Sequence, residues 1–90
     1  GETIEEGHKH VRELLINCPD AIEYKEKFEN EKHKIKILPE GTAFTSDTII
    51  TNDTIYMISY SDKDISATKI VNTSLASTQR QMFELLWANI

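Results

Sequence analysis

Two β-rich runs, DTIIT and TIYMISY, flank the dipeptide Asn52-Asp53, and this pattern constrains the fold more than any other part of the chain. Isoleucine, threonine and tyrosine in the runs favour strands. Both residues of the dipeptide tolerate positive φ, which the tight two-residue turns of β-hairpins use. The sequence therefore predicts an antiparallel hairpin at this point.

Two further elements are predicted after the hairpin. Residues 61–64 (SDKD) are typical of a turn, and residues 65–71 (ISATKIV) predict another strand. A C-terminal helix then follows, with Asn72 or Thr73 as its N-cap. Its apolar face has two adjacent stripes, formed by Leu75, Gln79, Met82 and Leu86 and by Ala76, Phe83, Trp87 and Ile90. Because this face is wide, we expect the helix to be the main cover of a sheet.

The N-terminal half predicts a helix end, a strand and a helix before a second strand. Residues 2–6 (ETIEE) are typical of the end of a helix with Gly7 as its C-cap. The strand HKHVRELLI begins at His8, and HKIKIL alternates polar and apolar residues over 33–38. Pro39 and the glycine two residues later end that strand.

The helix between these two strands lies in NCPDAIEYKEKFENE. Asp20 and Glu23 have the spacing of a capping box, and Ala21, Tyr24 and Phe28 fall on one face. Two strands joined by a helix are expected to be parallel, whereas the later strands form an antiparallel meander. We therefore expect an α/β fold with a mixed sheet, in the order β-α-β-β-β-α, with the C-terminal helix packed on the sheet.

Size and charge limit the classes of function. Ninety residues form one domain, and the net charge of −5 argues against direct binding to a nucleic-acid backbone or to an anionic membrane. No apolar run approaches the ~20 residues of a transmembrane helix. The single cysteine, Cys18, excludes an internal disulfide framework and favours a cytoplasmic location.

Several groups of residues are candidates for chemistry, and for each the simpler structural role is favoured. His8 and His10 share one face of a strand and can pair on a metal, with His33 or a carboxylate as third ligand. Cys18 precedes a helix N-terminus, where the dipole can activate a thiol. The carboxylates at turns, which can gather a divalent cation, are Asp53, Asp62 and Asp64. We expect no metal site and no cofactor.

Two surfaces remain as candidate contacts. A basic row on the second strand can bind a phosphate-bearing effector, although a solvated strand face is the favoured interpretation; the row consists of Lys32, Lys34 and Lys36. Aromatic and apolar residues of the C-terminal helix are candidates for a subunit interface as well as for the core; these are Phe83, Trp87 and Ile90.

Four segments together resemble a family. EEGHKHVRELL, HKIKILPE, DTIITNDTIYMISYSD and IVNTSLASTQRQMFELLW are similar to successive segments of phospholipase-D-like domains, over about residues 5 to 89. The nearest variant is the effector domain that follows a winged helix-turn-helix in archaeal TrmB-like transcriptional regulators. In that family the usual domain is longer, with a strand and most of a helix before residue 2. The resemblance implies that residues 1–90 are an excised C-terminal effector domain without its DNA-binding part.

Active members of the phospholipase-D-like family carry the motif His-x-Lys-x-x-x-x-Asp, in which the histidine is the nucleophile and the lysine meets the phosphate charge. The resemblance places Ser46 at the histidine position, Thr48 at the lysine position and Asp53 at the aspartate position. Only the aspartate is kept, and a hairpin turn is a sufficient reason for it. The resemblance therefore implies a degenerate motif with no catalytic residue.

We expect a non-catalytic regulatory domain of a prokaryotic transcriptional regulator. It would sense a small molecule, form a homodimer or do both, and DNA would be bound only by a separate helix-turn-helix segment. Two other classes stay open: a phospholipase-D-like phosphodiesterase or nuclease fragment, and a protein-interaction module without a ligand.

Overall fold

A mixed sheet of six strands forms the centre of the described structure. The computed structural model describes residues 2–7, 10–60 and 63–90. The strands are β1 Glu2–Gly7, β2 His10–Leu15, β3 His33–Ile37, β4 Ser46–Ile50, β5 Thr54–Tyr60 and β6 Ile65–Val71, and the helices are α1 Pro19–Phe28 and α2 Thr73–Ala88. Across the sheet the order is β3-β2-β1-β4-β5-β6. The α/β class and the mixed sheet are confirmed, and neither helix is long and apolar enough to cross a membrane.

The segment at residues 2–6 is a strand, so the predicted helix end is wrong. β1 lies in the middle of the sheet, antiparallel to β2 and parallel to β4. A short segment gains little from helical hydrogen bonds alone, whereas here it has a partner strand on each side, and its β-branched Thr3 and Ile4 suit a strand. The predicted order β-α-β-β-β-α is therefore wrong in two respects. It lacks β1, and it has three strands between the two helices where the structure has four.

The predicted pairing of the other strands is confirmed. β2 and β3, which α1 connects, are parallel, and β4, β5 and β6 form an antiparallel meander. The hairpin turn closes with a 2.9 Å hydrogen bond from Thr51 N to Thr54 O. Neither Asn52 nor Asp53 has positive φ, so the turn does not use the conformation that the dipeptide suggested. In the second predicted turn, residues 61 and 62 lie outside the described residues.

The break after β3 is a four-residue turn. Thr42 N donates to Pro39 O at 3.2 Å, and Gly41, the third residue of the turn, has φ of +93°. Glycine adopts this left-handed conformation without steric cost, as a type II turn requires at that position. Residues 39–41 therefore end the strand as predicted.

The two helices begin in different ways. The Asn72 side chain accepts a 2.9 Å hydrogen bond from Leu75 N, which confirms one of the two predicted N-caps of α2. α1 begins after Cys18, without a side-chain cap, and has a proline in its first turn. Since Asp20 then lies inside the first turn, the predicted capping box of Asp20 and Glu23 is wrong.

Neighbouring leucines on β2 direct the two helices to opposite faces of the sheet. Successive side chains of a strand point to opposite sides, and both Leu14 and Leu15 are buried. Leu14 packs with Leu38, Ile50 and Phe83 of α2, while Leu15 packs with Ala21 of α1 and Ile35. One strand therefore supplies the core beneath both helices.

α2 packs on the sheet through one of its two apolar stripes, the one that contains Phe83 and Trp87. Phe83 is buried and stacks on Trp87 with ring centroids 5.8 Å apart. The guanidinium of Arg12 lies over both rings and binds the Glu84 carboxylate with two nitrogens. The other stripe is largely exposed, as Met82 illustrates, so α2 covers less of the sheet than predicted.

Phe83→Ala tests this packing. We expect it to lower the free energy of unfolding by about 3–4 kcal/mol, because it removes a buried ring and leaves a cavity. Gln81→Ala, at an exposed position of the same helix, is the control and should change stability by less than about 0.5 kcal/mol. Denaturant unfolding measures both, and equal effects would contradict the assignment of Phe83 to the core.

Candidate functional site

A cavity of about 450 Å³ lies between α1 and the sheet face that carries Leu15. Its walls come from β1, β2, α1 and the segment between β2 and α1. The lining residues are Glu2, Ile4, Glu13, Leu15, Ile16, Cys18, Asp20, Ala21 and Tyr24. Most of the wall is therefore apolar, and three of the lining residues are acidic.

Glu13 is the most unusual residue of this cavity. It alternates with Leu14 along β2, so it points to the α1 side, and it is only 3% exposed. Its Oε1 accepts a 2.9 Å hydrogen bond from the Tyr24 hydroxyl and contacts His33 Nε2. Its Oε2 is buried and accepts no hydrogen bond from an N–H or hydroxyl group. A buried carboxylate oxygen without a donor is costly and rare in folded proteins.

The Glu2 carboxyl lies within hydrogen-bonding reach of Glu13. β1 pairs Ile4 with Glu13, and Glu2, two residues from Ile4, shares its face of the sheet. Burial, the hydrogen bond with Glu13 and the charges of Glu13 and Asp47 raise the pKa of Glu2 to about 7, although the amino-terminal charge acts against them. In its protonated form Glu2 can donate to Glu13. We call these two residues the carboxyl pair.

Neighbouring groups hold the carboxyl pair in place. The backbone N–H of Glu2 donates to Asp47 Oδ1 at 2.6 Å, which fixes the first residue of β1 against β4. Burial, the hydrogen bond to Glu13 and the nearby carboxylate charges raise the pKa of Tyr24 to about 12, so its hydroxyl remains a proton donor at neutral pH. The carboxyl pair can therefore accept hydrogen bonds from a bound molecule or hold a proton between its members.

The residues at the degenerate motif positions do not assemble at this cavity. Ser46 begins β4 and is exposed, while Asp53 lies in the turn beyond the other end of that strand. The Asp53 carboxylate accepts a 2.9 Å hydrogen bond from Thr54 Oγ1, and its backbone oxygen accepts from Asn72 N. Thr48 lines a groove of about 360 Å³ under α2, on the opposite face of the sheet. Asp53 thus has the turn-stabilising contacts that its position suggested.

The other candidate residues are dispersed. His10 is exposed, His33 contacts Glu13, and His8 lies outside the described residues, as does Asp62. Among the residues that the structure describes, no group of histidine, cysteine or acidic side chains is arranged to hold a metal ion. Cys18 is a free, exposed thiol at the edge of the cavity.

The candidate contact surfaces are partly used inside the chain. Lys36 points to the α2 side of the sheet, and its Nζ donates to Trp87 O at 2.8 Å and to Ile90 O at 3.3 Å. A lysine at a helix C-terminus satisfies carbonyl oxygens and complements the dipole. Of the predicted interface residues, Phe83 lies in the core, Trp87 packs against it, and Ile90 is 37% exposed.

Sequence reasoning did not identify the carboxyl pair. Glu13 is visible only as an acidic residue in an otherwise apolar stretch, VRELLI, at a position that strand alternation places beside Leu15 on one face. Glu2 carried no signal, because its segment was predicted to be helical. The pair forms only through the pairing of β1 with β2.

Comparisons with known proteins give no relative. No protein-family model matches the chain, and neither a curated protein nor a solved structure matches it. The geometry of the carboxyl pair and its cavity is therefore the main basis for assigning a function.

The raised pKa of Glu2 predicts a pH dependence of stability. Because this pKa is about 7 in the folded protein against an ordinary 4.5, the folded state binds the proton more tightly, and stability falls as the pH rises between these values. We expect Glu2→Gln to lose less stability than the unsubstituted protein over that range. Glu40→Gln, at an exposed position, should behave like the unsubstituted protein. Denaturant unfolding at several pH values measures this, and identical profiles for all three proteins would contradict it.

Proposed function

We propose that this chain is a non-catalytic regulatory domain of a prokaryotic transcriptional regulator, and that it binds a small-molecule effector in the cavity beside α1. The observation that supports effector binding is the buried Glu13 carboxylate, whose Oε2 accepts no N–H or hydroxyl hydrogen bond, beside a cavity with mostly apolar walls. Small-molecule sites have this composition, with few polar groups in an apolar pocket. The resemblance to phospholipase-D-like effector domains supports the regulatory setting.

The non-catalytic character is supported by the hairpin. A phosphodiesterase of the phospholipase-D-like kind needs a histidine nucleophile and a lysine, and this chain has Ser46 and Thr48 at those positions. Ser46 is exposed, and Asp53 lies in the turn beyond the far end of β4. Turnover of a phosphodiester by the purified protein would overturn this part of the proposal. A protein-interaction module without a ligand is the remaining alternative.

Effector binding can alter the arrangement of the strands and of α1, because these elements form the cavity. The cavity is bounded by β1 at the centre of the sheet and by α1, which connects β2 to β3. An effector that fits one arrangement of these elements better than another shifts the population towards it. In the proposed regulator this shift alters the spacing of two DNA-binding heads, which are carried by a separate helix-turn-helix segment.

Homodimer formation is the second part of the proposal, and the exposed apolar side of α2 supports it. Four of its large side chains are at least 38% exposed: Leu75, Met82, Leu85 and Leu86. Large exposed apolar side chains grouped on one helix often mark an interaction site. The same surface on a second copy is a self-complementary partner under twofold symmetry.

Filling the cavity tests effector binding. A panel of organic ammonium, neutral hydroxylated and carboxylate compounds is screened by NMR chemical-shift changes at the lining residues. Ile4→Trp replaces an aliphatic wall residue with a bulky indole that fills part of the cavity. We expect it to weaken the binding of any compound found in the screen about tenfold or more. Ile22→Trp, on the exposed side of α1, should leave binding unchanged. The proposal is wrong if no compound binds, or if Ile4→Trp binds as well as its control.

Sedimentation velocity tests dimer formation. We expect a concentration-dependent dimer that Leu85→Glu weakens about tenfold or more, because it places a charge in an apolar interface. Gln81→Glu adds the same charge at another exposed position of α2 and should have a smaller effect. A monomer at every concentration would contradict the dimer.

A further inference from the structure

We infer that the cavity takes a small organic cation, an ammonium group on an apolar body, whose N–H groups bind the carboxyl pair Glu2 and Glu13 in exchange for a proton. This inference rests on the proposed effector site and names the chemical class of the effector.

The charge of the lining residues selects a cation. Glu2, Glu13 and Asp20 are acidic, and the described lining contains no lysine, arginine or histidine. An anion would meet only like charge and no side-chain cation among these residues, which is unfavourable. An ammonium group supplies three donors and a positive charge, and charge-assisted hydrogen bonds to carboxylates are stronger than neutral ones.

The size and apolarity of the cavity require more than an ion. A volume of about 450 Å³ exceeds by far the ~30 Å³ share of one water molecule, so an ammonium ion alone would leave most of it unfilled. Ile4, Leu15 and Ile16 provide aliphatic wall, and Ala21 leaves room beside them. An inorganic calcium ion would need six to eight oxygen ligands, roughly, and the described residues hold no acidic cluster of that kind.

The proton of Glu2 and the ligand compete for the same carboxylate oxygens. Without ligand, a protonated Glu2 donates to the buried carboxylate of Glu13, whose Oε2 otherwise has no donor. When R–NH₃⁺ binds, its N–H groups take over both carboxylates, and the Glu2 proton passes to solvent. The exchange balances, since one positive charge enters as the ammonium and one leaves as the proton.

Several titratable groups face the carboxyl pair. Tyr24 of α1 and His33 of β3 contact Oε1 of Glu13, and Asp47 of β4 accepts from the backbone of Glu2. Asp20 and Cys18 line the same cavity, and the amino-terminal charge acts on Glu2. A pH dependence that comes from Glu2 must therefore vanish when Glu2 alone is replaced, whereas one that comes from His33 must persist.

Isothermal titration calorimetry with three matched probes tests the inference: phenethylammonium, 2-phenylethanol and 3-phenylpropionate. We expect the ammonium to bind about tenfold more tightly than the alcohol, and the carboxylate not to bind. Raising the pH from one unit below to one unit above the Glu2 pKa of about 7 should tighten ammonium binding about tenfold. Below that pKa, buffers of different ionisation enthalpy should report proton release. NMR shift changes at the lining residues locate each probe.

Variants separate the inference from the proposed function. Glu2→Gln should bind the ammonium more weakly and without the pH dependence, and Glu40→Gln should match the unsubstituted protein. If the alcohol or the carboxylate binds in the cavity as well as the ammonium, the cation inference is overturned while an effector site remains. If no probe and no compound of the wider panel binds there, both are overturned. Persistent pH dependence in Glu2→Gln overturns the proton exchange.

Discussion

Glu13 lies on β2, with one carboxylate oxygen bound by Tyr24 and His33 and the other without an N–H or hydroxyl donor. Burial of a carboxylate is unfavourable unless its oxygens are hydrogen bonded or its charge is neutralised. Three elements meet this requirement together, because α1 contributes Tyr24, β3 contributes His33, and β1 brings the Glu2 carboxyl within reach. The placement of α1 and of both neighbours of β2 is therefore tied to a single side chain.

The two faces of the sheet have different roles: the α2 side carries the main apolar core, and the α1 side carries the cavity with the carboxyl pair. On the α2 side, Leu14 and Phe83 form an apolar core, and Arg12 fixes the helix by stacking on Phe83 and binding Glu84. On the α1 side, Leu15 packs beside a cavity that has acidic residues in its wall. Because adjacent residues of β2 serve opposite faces, Glu13 and Leu15 line the site whereas Leu14 belongs to the main core.

The sequence predicted the elements whose signals are local. The hairpin around Asn52, the strand at 65–71 and the cap of α2 each depend on neighbouring residues, and each is confirmed. β1 was missed because it is short and because one of its two partner strands, β4, is distant in sequence. The carboxyl pair was missed together with β1. Its two residues are eleven positions apart and meet only because β1 pairs with β2. The resemblance supplied the motif positions in β4 and in the turn after it, but these do not lie at the cavity.

A carbon-detected NMR titration of the glutamate carboxyl groups tests the central claim most directly. If the carboxyl pair shares a proton, the Glu2 carboxyl group titrates with a pKa of about 7, and this pKa moves down in Glu13→Gln, because the neighbouring charge is gone. An ordinary pKa near 4.5 for Glu2, the same with and without the Glu13 carboxylate, would contradict the account.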